Sequence, residues 1–581
     1  MLFLIISSLV TWVHGQSFDV PSNWRKPSSD RPLSERRSIA QTTLESLISV
    51  IDLEDGTSEG MNHDQWASAN VPASIAQHDF ISASQDNHVV VSNTIAASRN
   101  ANPAYFDSTI TLEDFTSDAL MWGLAALYGA RAYNDTGLSE AAEGVWNVAT
   151  QFAVSAEDGD RGYQHSRNVS FTVDCVPNVT SAGAVFWRAQ TPSDLGCNGE
   201  TVGAYVALSA HLWERTGNLT YLKAARQSAS FVSSHMYIPL YQIITDTYEL
   251  LKCDDNGRQF TYNQGLFLEG LSILSSAPVP DKATWSNLTA TLVASTLQFP
   301  AWTSSDDSIA GVLIESIETV GAVANPAQFA ESFVWRNAFI RALYEVWRRS
   351  NSSSPMANFI EAFMMVQYNA LLDLASDNGS FYSPLWEGPQ LIEKVSWGQL
   401  SAMDVLSASI GMTSANSSTT GPATTIPPGY TSSPSTATRS PPISDGTIAG
   451  IVVGVVAGLL VTVAGIFIIV RSNRRRALRS VDGTTPGTLE DIEPFPPGYN
   501  TIVQPHMEQA AWASGHTKDR RGYGHGPLLY LDSSGPTVPD SIEPPSTSRE
   551  GPALESALSR AIQQVVDRMQ VSGAPPSYAG R

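Results

Sequence analysis

Ile448 to Val470 is an unbroken run of 23 residues without a charged side chain. At about 1.5 Å of rise per residue, a helix of that length reaches across a roughly 30 Å hydrocarbon layer. The run therefore predicts one membrane-spanning helix over 447–470. Asp445 precedes it, while Arg471, Arg474, Arg475, Arg476 and Arg479 follow, and an excess of cations marks the cytosolic side. A shorter apolar run, Leu2 to Val13, ends in Val-His-Gly ahead of Gln16 and reads as a secretory signal over 1–15. The expected topology is a type I single-pass protein of the plasma membrane.

Asn-X-Ser/Thr sequons agree with that topology. Asn134, Asn168, Asn178, Asn218, Asn287, Asn351, Asn378 and Asn416 all precede the span, and the tail has none. The chain has 56 acidic and 34 basic residues, a net charge of -22, but the tail carries twelve of each. All the excess negative charge then lies outside, which disfavours nucleic acid and suits a neutral ligand. Cys175, Cys197 and Cys253 would share that oxidising compartment and permit three different single bridges. Neither Cys-X-X-Cys nor His-Glu-X-X-His occurs, so no metal centre or cofactor is expected, and Asp254-Asp255-Asn256-Gly257 reads as a turn.

Residues 411–446 are rich in Ser, Thr and Pro and predict an O-glycosylated stalk without a core. The tail, 471–581, is low in complexity and largely disordered by composition. One helical stripe, Leu554, Leu558, Ile562, Val565 and Met569, interrupts it. Two stretches, Pro496-Pro497-Gly498-Tyr499 and Pro575-Pro576-Ser577-Tyr578, resemble the Pro-Pro-X-Tyr ligands of WW domains. A WW-domain ubiquitin ligase is the partner such ligands imply. The same pattern at Pro427-Pro428-Gly429-Tyr430 falls in the stalk, out of cytosolic reach.

Residues 16–410 are the globular part, and helical spacing dominates it. Leu120, Leu124, Leu127 and Tyr128 form one stripe; Tyr205, Leu208, Leu212 and Trp213 a second; Phe359, Ile360, Phe363 and Met364 a third. Alternation long enough for a sheet is missing. Thr136-Gly137 and, eighty residues on, Thr216-Gly217 are expected to stop helices, with Ser139 and Thr220 opening the next ones. Hairpins repeating at that distance predict an all-α toroid whose long loops meet on one face.

Three segments carry a family resemblance. Ser117-Asp118-Ala119-Leu120-Met121-Trp122 is similar to an Asp-Asp-X-X-X-Trp helix start, and Gly183-Ala184-Val185-Phe186-Trp187 to a Gly-Gly-X-X-Trp loop. Thr261-Tyr262-Asn263-Gln264-Gly265 is similar to a Tyr-Asn-X-Gly motif. Together they resemble glycoside hydrolase family 76, the α-1,6-mannanases and related fungal wall enzymes. That resemblance implies an (α/α)6 barrel, a mannan or other wall glycan as ligand, and an ectodomain facing the cell wall. It also implies retaining chemistry by a pair of carboxyl groups.

Carried over residue by residue, Asp118 is the candidate acid/base. Ser117, Trp122, Trp187, Asn198, Tyr262, Asn263 and Gln264 are candidates for binding substrate. The chain departs from the pattern at Ser117, where the family has its first Asp. It departs again at Cys197, in place of Lys, and at Val202, in place of a second Asn. Glu113, with Asp114, could fold back to supply the missing acid. Three functions follow: cleavage or transfer of α-1,6-linked mannose chains, inactive mannan binding by a receptor with a WW-binding tail, or a toroid glycosidase that uses another carboxylate pair on another glycan.

Overall fold

The computed structural model describes residues 16–61, 65–113, 115–315, 336–377, 381–388 and 396–412. The signal segment, residues 413–446 of the expected stalk, the span 447–470 and the tail with both Pro-Pro-X-Tyr motifs lie outside the described residues, as do Asp114, Asn378 and Asn416, whereas Gly411, expected to begin the stalk, ends a helix and Met412 is buried. Among the described residues no helix is long and apolar enough to cross a membrane.

Twelve long helices alternate between two layers among the described residues. The inner layer comprises α2 (Gln65–Ser82), α4 (Thr116–Tyr133), α7 (Gly199–Thr216), α9 (Thr261–Leu274), α11 (Arg336–Arg349) and α13 (Ser396–Gly411). These pack side by side in that order, and α13 returns to α2, closing a ring. The outer layer comprises α1 (Leu33–Ile48), α3 (His88–Ala101), α5 (Thr136–Thr150), α8 (Leu219–Phe231), α10 (Lys282–Thr296) and α12 (Pro355–Ala370), each packed on the inner ring. One short helix, α6 (Ala156–Arg161), lies in a loop. The predicted helical toroid is thus a closed double ring.

Sequence explains the two layers. Every residue of α9 is buried, from Thr261 to Leu274, because inner helices are covered on all sides. Outer helices bury a single stripe, as α5 does with Leu138, Ala141, Ala142, Val145, Trp146, Val148 and Ala149. Inner helices also approach closely: a Cβ on Gly265 of α9 would stand 2.5 Å from the Phe339 Cα of α11. Only glycine permits that spacing.

Helix stops were partly legible. Gly217 ends α7 with φ 71°, as expected, but the following cap is Asn218, whose side chain accepts the Thr220 N–H, and not Thr220 itself. The earlier break falls before the predicted Thr136-Gly137. Asn134 takes the left-handed conformation at φ 52°, and the Asp135 side chain accepts the Leu138 N–H to open α5.

Inner-to-outer connections are short, as at 134–135 and 217–218, whereas outer-to-inner ones are long, as at 151–198 and 232–260. Those long loops carry β1 (Tyr163–Gln164), β2 (Val169–Ser170), β3 (Gly196–Asn198), β4 (Tyr237–Ile238), β5 (Ile243–Ile244), β6 (Thr247–Glu249) and β7 (Asp254–Asp255). Strand β6 pairs antiparallel with both β3 and β7, with Cys197 opposite Tyr248. Asp254 and Asp255 are therefore paired, and the turn follows at Gly257, φ 67°. Cys175 and Cys253 form the disulfide, tying the 151–198 loop to the β6–β7 turn, and Cys197 is the buried free thiol. The described sequon asparagines, Asn134, Asn168, Asn178, Asn218, Asn287 and Asn351, are all exposed.

Side chains from all six inner helices meet inside the ring. Tyr128 of α4 and His211 of α7 both bond the Glu269 carboxylate of α9. Arg131 bridges Gln77 of α2 and Glu345 of α11. Arg341 of α11 bonds Asp404 of α13 at 2.8 Å, together with Ser74 and Asn70 of α2. Each buried charge there has at least one partner of opposite charge or a polar group, as burial requires, although Arg341 Nε and Asp404 Oδ1 have none of their own.

Candidate active site

The first turns of α4, α7 and α9 lie at the long-loop end, and loop backbone ties them together. The Thr116 N–H at the start of α4 donates to the Trp187 carbonyl at 2.7 Å. The Trp187 N–H donates in turn to Gly196 of β3, which leads into α7. Asn198 caps α7 by accepting the Thr201 N–H at 2.9 Å. The next N–H, that of Gly199, donates to the Asp246 carbonyl at 2.6 Å. Thr261, opening α9, is held through its N–H and its hydroxyl by the Glu315 carboxylate.

Three carboxyl groups converge on this end. Asp118 is the third residue of α4 and Glu200 the second of α7, and both are half-buried. Asp246 is buried and fully engaged. Its Oδ1 accepts the Tyr262 hydroxyl at 3.1 Å and the Asn263 amide at 2.9 Å, while Oδ2 accepts Asn256 and the Thr247 hydroxyl. Burial, and then the charges of Asp118 and Asp246, push the Glu200 carboxyl up to about 8. It carries its proton at neutral pH. Burial and the charges of Asp246 and Glu200 likewise raise the Tyr262 phenol well above its usual range.

The candidates from the sequence divide into two groups. Asp118, Tyr262 and Asn263 join this cluster, with Ser117 buried beside Asp118 in the first turn of α4. Asn263 also packs against Gly199, where a Cβ would meet its side chain at 2.8 Å. The others lie outside that cluster. Trp122 is wholly buried and donates its indole N–H to Gln65 at 3.2 Å, so its ring packs the core and offers no face to a sugar. Gln264 spans the backbone of Ile244, receiving its N–H and donating to its carbonyl. Trp187 is half-buried, stacked on Phe115 at 5.1 Å with the Arg188 guanidinium over its ring. Glu113 is exposed and does not return to the cluster.

Glu200 and Asp246 were missed. Glu200 looks in sequence like an ordinary first-turn acid placed for the helix dipole, as does Asp118. The available signal was that two inner helices start with the same arrangement. Asp246 sits in a long loop, and only the fold brings it to both helix ends.

The model of glycosyl hydrolase family 76 matches residues 178–322, a span that holds Glu200, Asp246, Tyr262 and Asn263. No curated relative matches the chain in sequence. Among solved structures, an inactive variant of the α-1,6-mannanase GH76A of Salegentibacter sp. HEL1_6, two adjacent aspartates replaced by asparagine, in complex with α-1,6-mannotriose, is similar at TM-score 0.51. Identity is 15%, and the match covers 64% of this chain and 99% of that one. A further structure of the same mannanase matches at TM-score 0.50 and 16% identity, covering 64% and 98%. Dfg5 from Chaetomium thermophilum, in complex with glucosamine, matches at 0.48 and 15%, covering 67% and 91%. The chain thus shares its ring of helices with these family 76 structures, and the family's model matches the segment that opens α7 and α9.

Proposed function

We propose that this protein works at the cell surface on α-1,6-linked mannan or a related wall glycan, by hydrolysis or by transfer. The observation that carries the reading is the convergence of Asp118, Glu200 and Asp246 with Tyr262 and Asn263 at one end of the ring. Glycoside chemistry needs one protonated and one ionised carboxyl beside the bond, and carboxyl groups held close together drift into those two states. The complex of the Salegentibacter mannanase with α-1,6-mannotriose supports the choice of ligand. The apolar run at 447–470, with its following arginines, supports a type I anchor. Release of reducing ends from linear α-1,6-mannan by the full chain in detergent, abolished in Asp118→Asn, is the expected result. Absence of both cleavage and transfer would overturn the enzymatic reading.

A second reading has one observation in its favour: Ser117 occupies, buried, the place of the family's first acid. A serine hydroxyl is a far poorer nucleophile than a carboxylate toward a glycosidic carbon. In that reading the domain binds mannan and the Pro-Pro-X-Tyr tail passes the event inward. Mannan binding without turnover, together with hydrolysis gained in Ser117→Asp, would select it.

A further inference from the structure

We propose that Asn134, Asn218 and Asn351 carry N-linked glycans and that these together cover the short-loop face of the ring, at the end opposite the carboxyl cluster. The inference rests on the cell-surface part of the reading above, because such glycans are attached in the secretory lumen. It does not depend on the enzymatic part.

Position comes first. The three asparagines lie in inner-to-outer connections, at 134–135, 217–218 and 350–354, and all are exposed. Arginines knit those connections into one face. Arg215, in the last turn of α7, donates to the Ser139 hydroxyl at 3.0 Å and to the Asp135 carbonyl at 3.4 Å, which ties the surroundings of Asn218 to those of Asn134. Arg349, at the end of α11, holds the two oxygens of Glu214 at 2.5 and 2.8 Å, which brings Asn351 to the same place. His88, opening α3, bonds Asp135 at 2.8 Å.

Local chemistry then leaves the reactive atom free. The Asn218 Oδ1 accepts the Thr220 N–H at 3.0 Å, and the Asn351 Oδ1 accepts the Ser353 N–H at 3.0 Å. Each side chain is thus held by its oxygen, and its Nδ2 donates to no group among the described residues. Asn134 ends α4 in the left-handed conformation, φ 52°, and its side chain is likewise uncommitted. Thr136, Thr220 and Ser353, which complete the sequons, are exposed as well. Asn87, on the same face but in no sequon, spends its Nδ2 on Asp79 at 2.8 Å.

The attachment balances with one further reactant, a lipid-diphosphate-linked oligosaccharide. Nδ2 forms a bond to the anomeric carbon of its reducing-end sugar. The bond from that carbon to the phosphate oxygen breaks, its electron pair leaves with the lipid diphosphate, and the nitrogen gives one of its two protons to a base of the lumenal transferase. Oδ1 takes no part, so the bonds to the Thr220 and Ser353 N–H groups survive. Beneath the added sugars lie Leu219, the middle residue of one sequon, 63% exposed, and Val89, beside His88, 68% exposed. A bulky oligosaccharide on each asparagine would screen both.

The test uses the full chain made in a eukaryotic secretory host. Glycopeptide mass spectrometry should find Asn134, Asn218 and Asn351 occupied. Thr136→Ala, Thr220→Ala and Ser353→Ala delete the sequons but keep the asparagines and their bonds, and each should remove one glycan. In the triple variant, hydroxyl-radical labelling of Val89 and Leu219 should rise severalfold, while Leu240 and Tyr241, exposed in the 232–260 loop at the other end, should stay unchanged. Any of the three asparagines found bare in a chain glycosylated elsewhere, as at Asn168 or Asn178, would overturn the inference and leave the cell-surface reading standing. A chain bare at every sequon would overturn both. Labelling of Val89 and Leu219 that is equal with and without the glycans, or that rises together with Leu240 and Tyr241, would overturn the coverage.

Discussion

The Tyr262 phenol donates a 3.1 Å hydrogen bond to Oδ1 of Asp246, the same oxygen that the Asn263 amide reaches at 2.9 Å. The carboxylate of a loop is thereby anchored to the first turn of an inner helix, and its backbone carbonyl to the start of the next. Removing the hydroxyl in Tyr262→Phe leaves the ring and its stacking on Phe260 in place. We expect a stability loss of about 1.5–3 kcal/mol, as for a buried bond to a charged acceptor, and a fall of roughly tenfold in turnover on α-1,6-mannan. Urea denaturation and initial rates on the same preparation check both.

Glu200 gives a pH dependence with a definite sign. Its folded-state pKa is raised from 4.5 to about 8, so between those values the folded chain holds a proton that the unfolded chain has released. Stability therefore falls as pH rises through that window and is regained below it. Glu200→Gln is free of this effect. Its melting temperature should exceed that of wild type by about 2 °C or more at pH 8.5, with the difference shrinking toward zero near pH 4.5. A difference that grows on acidification would contradict the assignment.

Arg341 and Asp404 form a buried pair at 2.8 Å, and Asp404 still lies at about 6 because burial outweighs the guanidinium and the Ser74 hydroxyl. Arg341→Met strands that carboxyl among apolar and charged neighbours and should cost about 3–5 kcal/mol. The double variant Arg341→Met, Asp404→Leu should recover more than half of the loss. Chemical denaturation of wild type, single and double variants closes the cycle.

The Cys175–Cys253 bridge closes a loop with a sequence separation of 78 residues. Chain entropy assigns such a crosslink about 4.5 kcal/mol, and native bridges in secreted domains deliver about 2–5. Cys175→Ser with Cys253→Ser should lower stability within that range, measured by thermal unfolding. Cys197→Ser should leave the bridge intact, since that thiol is buried and unpaired in a disulfide.

Period and punctuation made the ring legible in the sequence. The stripes through Leu120, Leu208 and Phe359 proved to be core except at Trp213, which is only partly buried, and Gly217 stopped α7 where a left-handed residue was expected. Asn134 was overlooked as a stop because glycine two residues on looked the stronger signal, although asparagine tolerates the same conformation. The site was harder. Asp118 stood out through its motif, but Glu200 and Asp246 acquire meaning only from loops of some thirty to fifty residues that fold back onto helix starts, and local pattern carries no trace of that return. Trp122 erred in the opposite direction: a motif tryptophan drew attention as a sugar platform, while the helix phase turned it into the interior.

The knot of ion pairs inside the ring turns what would be a tube into a dish. Because Arg131, Arg341, Glu269 and Glu345 tie the inner helices to one another across the ring, a glycan of the proposed kind would reach the first-turn cluster from the long-loop end.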